Sequence, residues 1–413
     1  MNRAPGSLDP KQRYALMDGL RGLALLGILL VNLRIMGAPS MAYGEFSIWS
    51  GAFSEVALLV SALFLDGAFW TLFAMLFGAG FAVMMGEAPL RREAFVGQAG
   101  PPPLGIGLWA YYRRLVLIGL LGLLHVLLLW YGDILMIYVL AGLALPLFCK
   151  RRIGTLLVWA VVLIVVPQGI YLLLLSSLQL VGPEELAEIL ASYAKETRGW
   201  MTYLIEGYRS SDFGVIAWTR LNEFGYNFWY ALTLVPTGLG VMLIGMVLAR
   251  KERFRLDVVQ GRFFRKLLLF AIVPAVAGKV AYAYGLWAID FLNLVASAAF
   301  IVGYLVGGLA SAFILLCSLR ALYLWGAARG LRQGLEAAGR MALTLYLMQS
   351  LIGGLIFYGY GLGLYAAVPP QGLLLIGLVI FAGQVAFAHF WFMRYRHGPL
   401  EYMLRRFTYW GWS

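Results

Sequence analysis

The feature that most constrains this chain is an apolar run of about twenty residues that recurs along its whole length. A helix needs about 20 apolar residues to cross about 30 Å of hydrocarbon. Of 413 residues, 62% are apolar and 13% charged, whereas soluble domains average about 45–50% and about 25%. This composition excludes a soluble enzyme, a disordered chain and a secreted disulfide scaffold. The sequence predicts an all-α, polytopic membrane protein, folded as a single transmembrane domain over residues 1–413.

Ten apolar runs are predicted to cross the membrane. They lie at 15–36, 67–86, 109–130, 133–149, 153–180, 226–249, 267–288, 292–318, 341–359 and 372–393. Lysine and arginine concentrate in alternate connections, which the positive-inside rule assigns to the cytoplasm. Ten crossings then place both termini in the cytoplasm. Residues 54–66 are predicted to form an interfacial or re-entrant helix that ends near Asp66 and Gly67.

The longest connection on the predicted outer side is 181–225. It carries seven acidic and four basic residues and begins an amphipathic pattern after Pro183. Such a pattern favours a helix that lies on the membrane surface. We therefore expect 181–225 to form an outer cap segment between the fifth and sixth spans, followed by a C-terminal half over 226–413.

The basic net charge of +12 is accounted for by this topology. No stretch combines basic residues with stacking aromatics in a soluble module, so we expect no nucleic-acid partner. Cys149 and Cys317 lie within apolar runs without a Cys/His cluster, so we expect no metal site and no permanently bound cofactor. The lipid bilayer is the expected partner, and the Gly303-xxx-Gly307 spacing also permits close packing in a homodimer.

Ionisable residues inside a membrane are costly and indicate functional sites. In the first span Asp18, Arg21 and Asn32 share one face of the helix at 100° per residue, over about 21 Å of rise. This face of the first span therefore has an ionic pair at its cytoplasmic end and an amide at its outer end. The alternative is that Asp18 and Arg21 merely neutralise each other at i,i+3.

The third span places Arg114 and His125 on one face, with His125 near the outer side. Asp133 follows after a short turn and can hold one imidazole nitrogen while the other faces a substrate. This arrangement is typical of a general base. Alternatively, His125 is an interfacial residue and Asp133 caps the fourth span.

Further polar residues at the outer ends of the predicted spans can join this site. They are Arg34, Glu55, Asp66, Arg220, Glu223 and Asn227. Gln349 lies mid-membrane in the ninth span, where its alternative role is a hydrogen bond between helices. Lys279 in the seventh span is expected to extend its ammonium group towards the interface.

Several motifs resemble those of the YeiB-like family of bacterial membrane proteins, in the same order along the chain. They are Asp18-Gly19-Leu20-Arg21-Gly22 with Asn32, Leu76-Phe77-Gly78-Ala79-Gly80-Phe81, Arg113-Arg114-Leu115 through His125 to Gly132-Asp133, Gly339-Arg340-Met341-Ala342-Leu343-Thr344, Gln349-Ser350 and Gly398-Pro399-Leu400-Glu401-Tyr402. The resemblance implies a multi-pass protein of the bacterial cytoplasmic membrane.

The YeiB-like family is in turn similar to the transmembrane acyltransferase superfamily, which includes lysosomal heparan glucosaminide acetyltransferases and bacterial polysaccharide acyltransferases. That similarity implies transfer of an acyl group from cytoplasmic acyl-CoA, such as acetyl-CoA, to a lipid or glycan acceptor beyond the membrane. Asp18, Arg21 and Asn32 match the family's opening motif. His125, with Asp133, is expected to be the counterpart of the superfamily's histidine, because it lies on the same side of the membrane.

The leading hypothesis is therefore a membrane-embedded acyltransferase. His125, oriented by Asp133, would be the general base, and Asn32 would donate to the developing oxyanion. The residues expected to bind substrate or donor are Asp18, Arg21, Arg113, Arg114, Arg34, Asp66 and Gln349. The alternatives are a transporter or lipid-binding protein without catalysis, and a structural or signalling membrane subunit.

Overall fold

Every regular element in the described part of the chain is helical. The computed structural model describes residues 15–43, 47–87, 104–256, 259–288 and 293–410. The helices are α1 Ala15–Gly37, α2 Ala52–Val60, α3 Ala68–Met84, α4 Leu104–Leu128, α5 Leu135–Ala144, α6 Ile153–Ser176, α7 Pro183–Arg209, α8 Phe213–Arg250, α9 Gly261–Trp287, α10 Leu294–Leu324, α11 Arg329–Arg340, α12 Ala342–Phe357, α13 Pro370–Arg394 and α14 Pro399–Thr408. The predicted all-α class is confirmed.

Eight helices within these ranges are long and apolar enough to cross a membrane. They are α1, α2 with α3, α4, α6, α8, α9, α10 and α13. The chain is thus a multi-pass membrane protein, as predicted.

The other two predicted crossings are shorter than a full bilayer. Residues 133–149 form the ten-residue α5 and a 3-10 turn, Leu145–Phe148. Residues 341–359 form the 16-residue α12, about 24 Å long, which meets the amphipathic α11 at a bend of 86°.

Both short helices nevertheless link the same two ends of the bundle. We name these ends the His125 face and the Arg250 face after the residues that lie there. α5 begins beside Asp133 at the His125 face, and Arg250 Nη2 donates to the Phe148 carbonyl at its other end, at 3.2 Å. α12 likewise begins at the end that holds α14 and runs towards His125.

The predicted break near Asp66 and Gly67 is confirmed. α2 ends in a π-helical turn, Ser61–Leu65, and Gly67 adopts φ of 75° before α3 begins. A side chain is disfavoured there by that left-handed conformation. A Cβ at this position would also lie 2.9 Å from the Tyr304 carbonyl oxygen. The turn therefore brings a non-helical stretch of backbone into the bundle.

The predicted cap over 181–225 is divided between two helices. α7 is the amphipathic surface helix expected after Pro183, with acidic residues in its first turn. Asp212 then starts α8 by accepting the Gly214 N–H at 2.6 Å. α8 continues for 38 residues to Arg250, so 213–225 is an extension of the sixth span and not part of a separate cap.

Close helix crossings depend on glycines that have no room for a side chain. A Cβ at Gly22 would lie 2.0 Å from the Leu335 carbonyl oxygen, and one at Gly339 would lie 1.8 Å from that of Asp18. These positions bring α1 and α11 into backbone contact. The Gly303-xxx-Gly307 pair packs in the same way against Gly278 of α9, so this pair is used inside the chain.

A buried ionic cluster joins α1, the π-helical turn and α9. Arg34 Nη2 is bonded to Asp66 Oδ1, and Tyr282 donates to Asp66 Oδ2 at 3.2 Å. Lys279 Nζ donates to the Asp66 carbonyl and, at 3.4 Å, to the Ala62 carbonyl. Lys279 is only 4% exposed, so the expectation that its ammonium extends to the interface is wrong. Its ammonium satisfies the carbonyls that the break in the helix exposes.

The glycine crossing predicts that Gly339→Ala destabilises the protein. The added methyl group would meet the Asp18 backbone at 1.8 Å, and overpacking of this kind costs about 1–3 kcal/mol. We expect a lower melting temperature in detergent micelles. Gly383→Ala in α13 is the matched control, because nothing lies within 4 Å of its added Cβ. Equal losses in the two variants would contradict a special role for the crossing.

The ionic cluster predicts coupling between Asp66 and Lys279. Asp66→Asn removes the carboxylate that pairs with Arg34 and whose charge lies near Lys279, and breaking a buried pair costs about 3–5 kcal/mol. Adding Lys279→Met to Asp66→Asn removes one of those cations, so the double variant should melt above the Asp66→Asn single variant. Additive losses in this double-mutant cycle would contradict the coupling. Glu55→Gln, an exposed acid of α2, controls for loss of a surface charge.

Candidate functional site

Three side chains from distant parts of the chain form a buried relay at the His125 face. His125 Nε2 lies 2.7 Å from Ser350 Oγ, and His125 Nδ1 lies 3.0 Å from Asp133 Oδ1. The three residues are 1%, 2% and 8% exposed for His125, Ser350 and Asp133. The order hydroxyl, imidazole, carboxylate is the arrangement that activates a serine nucleophile in many hydrolases and transferases.

The relay is set up locally by the end of α4. The His125 carbonyl accepts the N–H groups of both Leu129 and Trp130 at 2.9 Å, so the chain turns directly after the histidine. Asp133 Oδ2 then accepts the Met136 N–H at 2.7 Å, while Oδ1 faces the imidazole. Asp133 therefore caps α5 and also contacts His125, so the two roles considered for this residue are compatible.

Asp133 restricts the imidazole, although the contact is not an aligned hydrogen bond. Nδ1 is buried and has no hydrogen-bond partner of good geometry among the described residues, despite the 3.0 Å separation from Oδ1. Bonds of this kind are often poorly aligned in unliganded sites and tighten in the reacting complex. With the proton on Nδ1, Nε2 accepts the hydroxyl hydrogen of Ser350.

Tyr346 completes the wall of the site from the same helix as Ser350. Its ring centroid lies 5.2 Å from that of His125, and its hydroxyl donates to Asp133 Oδ1 at 3.4 Å. The hydroxyl oxygen also accepts the Ile134 N–H at 3.3 Å. Tyr346 and Ser350 are four residues apart on α12, so one helical face supplies both.

α12 is held in place by a carboxylate from the C-terminal helix. Glu401 Oε1 accepts the N–H groups of Leu343 and Thr344 at 2.8 Å and 3.0 Å. Glu401 Oε2 accepts the Thr344 hydroxyl at 2.7 Å. A helix begins with unpaired N–H groups and a partial positive charge, so Glu401 caps the helix that carries Ser350.

Three residues predicted for this site, Gln349, Arg34 and Asp66, have their hydrogen-bond partners elsewhere. Gln349 Nε2 donates to Gln384 Oε1 of α13 at 3.0 Å, which is the inter-helix bond considered as its alternative role. Asn32 is half-buried in α1, and its side chain has no hydrogen bond with any residue that the structure describes. Arg34 and Asp66 are bonded to each other in the ionic cluster with Lys279, rather than to His125.

The predicted donor-binding residues gather at the Arg250 face. Arg21 Nη1 donates to Asp18 Oδ1 at 2.7 Å. Arg114 is exposed and close enough to Arg21 for the two charges to interact. Arg113 donates to the Trp410 carbonyl at 2.5 Å. Arg114 and His125 are eleven residues apart on α4, which separates the two sites by about 16 Å along the helix.

Sequence reasoning did not assign a role to Ser350. A serine in an apolar helix commonly bonds to its own backbone or to a neighbouring helix, so its residue type carries little signal. The signal within the sequence is its spacing of four residues from Tyr346. The partner across the site, His125, lies 225 positions away, and only the packing of α4 against α12 brings the two together.

The chain is similar to two bacterial proteins over almost its entire length. It is 31% identical to the uncharacterized protein YxaH of Bacillus subtilis (strain 168), covering 98% of both chains. It is also 31% identical to the uncharacterized protein YeiB of Escherichia coli (strain K12), covering 96% of both chains.

The model of the family described as "Protein of unknown function (DUF418)" matches residues 248–411. That region contains Ser350 and Glu401. No solved structure matches the chain significantly. The length and identity of these matches, together with the motifs from Asp18 to Glu401, show that the chain belongs to the YeiB-like DUF418 family of uncharacterised bacterial membrane proteins.

Proposed function

We propose that this protein is an acyltransferase of the bacterial cytoplasmic membrane. It takes an acyl group from acyl-CoA on the cytoplasmic side and passes it to a hydroxyl or amine of a lipid or glycan at the outer side. The observation that carries the proposal is the buried relay Ser350–His125–Asp133, with separations of 2.7 Å and 3.0 Å. A hydroxyl next to an oriented imidazole is the machinery of acyl transfer.

The first half-reaction transfers the acyl group to Ser350. His125 Nε2 takes the proton from Ser350 Oγ as this oxygen attacks the thioester carbonyl carbon. The tetrahedral intermediate then collapses, the carbon–sulfur bond breaks, and the imidazolium gives its proton to the departing CoA thiolate. An ester between the acyl group and Ser350 remains, and His125 is again neutral.

The second half-reaction transfers the acyl group to the acceptor. His125 takes the proton of the acceptor hydroxyl or amine, whose oxygen or nitrogen attacks the ester carbonyl carbon. The bond to Ser350 Oγ breaks, and the imidazolium returns its proton to Oγ. Asp133 stabilises the imidazolium in both steps because its carboxylate lies beside Nδ1.

The cluster at the Arg250 face would bind the donor. CoA carries several phosphate groups, and guanidinium groups bind phosphates in a forked geometry. Arg21 and Arg114 are the proposed ligands, with Asp18 orienting Arg21 and Arg113 at the margin. The distance of about 16 Å along α4 from Arg114 to His125 suits a donor whose thioester lies at the end of a long arm.

Asn32 is the proposed donor to the oxyanion. Its neighbour Leu33 and nearby Met36 pack against α12 where Gly353 follows Ser350 by one turn. Its amide has no other partner among the described residues, so it can donate to the oxygen that becomes negative in the tetrahedral intermediate.

The test follows both half-reactions in nanodiscs. Purified protein is incubated with acetyl-CoA and with longer acyl-CoAs; released CoA is quantified by chromatography and the Ser350 peptide by mass spectrometry. We expect CoA release and an acyl adduct on Ser350. Ser350→Ala should abolish the adduct, and His125→Ala should lower CoA release by at least a hundredfold, as in other serine relays.

Ser297→Ala is the matched control, because Ser297 is also buried, at 4% exposed, but lies in α10. Full CoA release in the Ser350→Ala variant would overturn the covalent intermediate. Absence of CoA release and of adduct with every donor would overturn acyl transfer itself and favour the non-catalytic transporter or lipid-binding hypothesis.

A further inference from the structure

A second buried cluster adjoins the relay at the His125 face. It consists of Arg220 and Glu223 of α8 and the tyrosines Tyr131, Tyr208, Tyr358 and Tyr365, and we name it the Arg220 cluster. It is connected to the relay through α4, because Arg220 Nη1 donates to the carbonyl of Leu127, two residues after His125, at 2.7 Å. Trp130 also links the two, with its ring 6.3 Å from that of His125 and 5.7 Å from that of Tyr131.

Arg220 is completely buried, yet the two nitrogens that carry three of its five N–H groups have no partner among the described residues. Its exposed fraction is 0%, and its Nε and Nη2 have no hydrogen-bond partner among the described residues. Nε and Nη2 lie on the same edge of the planar guanidinium, and this edge binds carboxylates and phosphates through two parallel hydrogen bonds. The edge that suits an oxyanion is therefore the one left open.

Glu223 does not fill this edge. Its Oε2 accepts the Tyr208 hydroxyl at 2.6 Å, and the Tyr131 hydroxyl lies near the same carboxyl group. No carboxylate in the described part of the chain lies within ion-pair distance of Arg220. The guanidinium carbon of Arg220 instead lies 5.9 Å from the ring centroid of Tyr358.

Other buried donors nearby also lack an acceptor. They are the hydroxyl of Tyr365 and Nε1 of Trp130. Tyr365 belongs to the ring stack of the cluster, since its centroid lies 4.8 Å from that of Tyr208. A buried donor without a partner is destabilising, and more so when it is charged. The cluster has donors in excess of acceptors, and an oxyanion would supply the missing acceptors.

We infer that the Arg220 cluster binds a phosphodiester group of the acceptor substrate. This inference rests on the proposed function only in treating the bound molecule as the acceptor that His125 activates. A phosphodiester presents two non-bridging oxygens that share one negative charge, which matches one guanidinium edge. The aromatic rings around Arg220 suit the glycerol or sugar carbons attached to such a group.

The depth of Arg220 supports this ligand. α8 has 38 residues and is about 57 Å long, whereas the hydrocarbon is about 30 Å thick. Arg220 precedes the apolar part of α8 that begins near residue 226, so it lies at the level of lipid headgroups. Phosphodiesters are the abundant anions at that depth of a bilayer.

The end of α7 packs on the residues that surround Arg220. Tyr208 stacks on Tyr358 with centroids 4.5 Å apart, and its carbonyl accepts the Gly359 N–H at 2.8 Å. Arg209 Nε donates to the Tyr365 carbonyl at 2.7 Å. These contacts close α7 over Arg220, so binding requires α7 to separate from residues 358–365.

The test measures ligand-induced stabilisation of the purified protein in a neutral maltoside detergent without acyl donor. The probes are phosphatidylglycerol, the soluble diester glycerophosphoglycerol and diacylglycerol, which lacks the phosphate. We expect a phosphodiester to raise the melting temperature and diacylglycerol not to do so, since a ligand stabilises the state it binds. Stabilisation by the soluble diester assigns binding to the headgroup alone, and stabilisation by the lipid alone assigns it to a membrane source.

Two substitutions assign the effect to Arg220. Arg220→Gln should weaken phosphodiester binding at least tenfold, and Arg220→Lys should do the same because it keeps the charge but loses the forked edge. Lys195→Gln removes an exposed positive charge of α7 at the same face and should leave the affinity unchanged. Equal affinity in wild type and Arg220→Lys, or no stabilisation by either diester, would overturn the inference.

The result of this binding test can be distinguished from the result of the acyl-transfer test. Phosphodiester binding in a protein that never cleaves acyl-CoA would leave the anion site intact and overturn the acyltransferase. Acyl transfer to Ser350 without any effect of phosphodiesters would leave the acyltransferase intact and overturn the anion site. If Arg220→Gln fails to fold, Arg220→Lys alone decides the question.

Discussion

The constraint on which this structure depends is that polar groups inside a bilayer must find their partners within the chain. The break between α2 and α3 shows how this is met. The π-helical turn exposes carbonyls, Lys279 donates to them, and Asp66 balances the positive charge of Arg34 beside it. These ions therefore hold an irregular segment of backbone in the bundle.

Some polar groups in the described part of the chain lack such partners. The open edge of Arg220 is completely buried, and unsatisfied buried groups of this kind are rare in folded proteins. The amide of Asn32 is half-buried and has no hydrogen bond among the described residues. Both lie on helices that also contact the relay or the elements that carry it. The proposed roles of Arg220 and Asn32 rest on these unpaired groups.

The relay depends on contacts made far from it. Glu401 caps α12 and sets the position of Tyr346 and Ser350, while Asp133 caps α5 with one oxygen and faces His125 with the other. Gly22 and Gly339 bring α1 and α11 into backbone contact directly before α12 begins. The motifs that these residues belong to thus have a physical reason, because each supplies a helix cap or a close crossing of two helices.

Much of the helical architecture could be predicted from apolar run length. The break at Gly67 and the surface helix after Pro183 could also be predicted, since each depends on nearby residues. The pairing of His125 with Asp133 followed from their separation by one short turn. Arg34 and Asp66, which were expected to join His125, are bonded to each other beside Lys279, because depth in the membrane does not specify which helices are neighbours. The helix α8 begins at Phe213, inside the expected cap segment, because Asp212 starts the helix there.

The sequence by itself determined that this chain is a bundle of membrane-spanning helices, because hydrocarbon selects helices by length and hydrophobicity alone. It also determined the local pairs, Asp18 with Arg21 and His125 with Asp133. Only the tertiary structure decided that Ser350 meets His125, that Gln349 is bonded to Gln384, and that one edge of Arg220 stays open. The physical reason is that side-chain partners on different helices are chosen by helix packing, which depends on glycine crossings and caps spread over the whole chain.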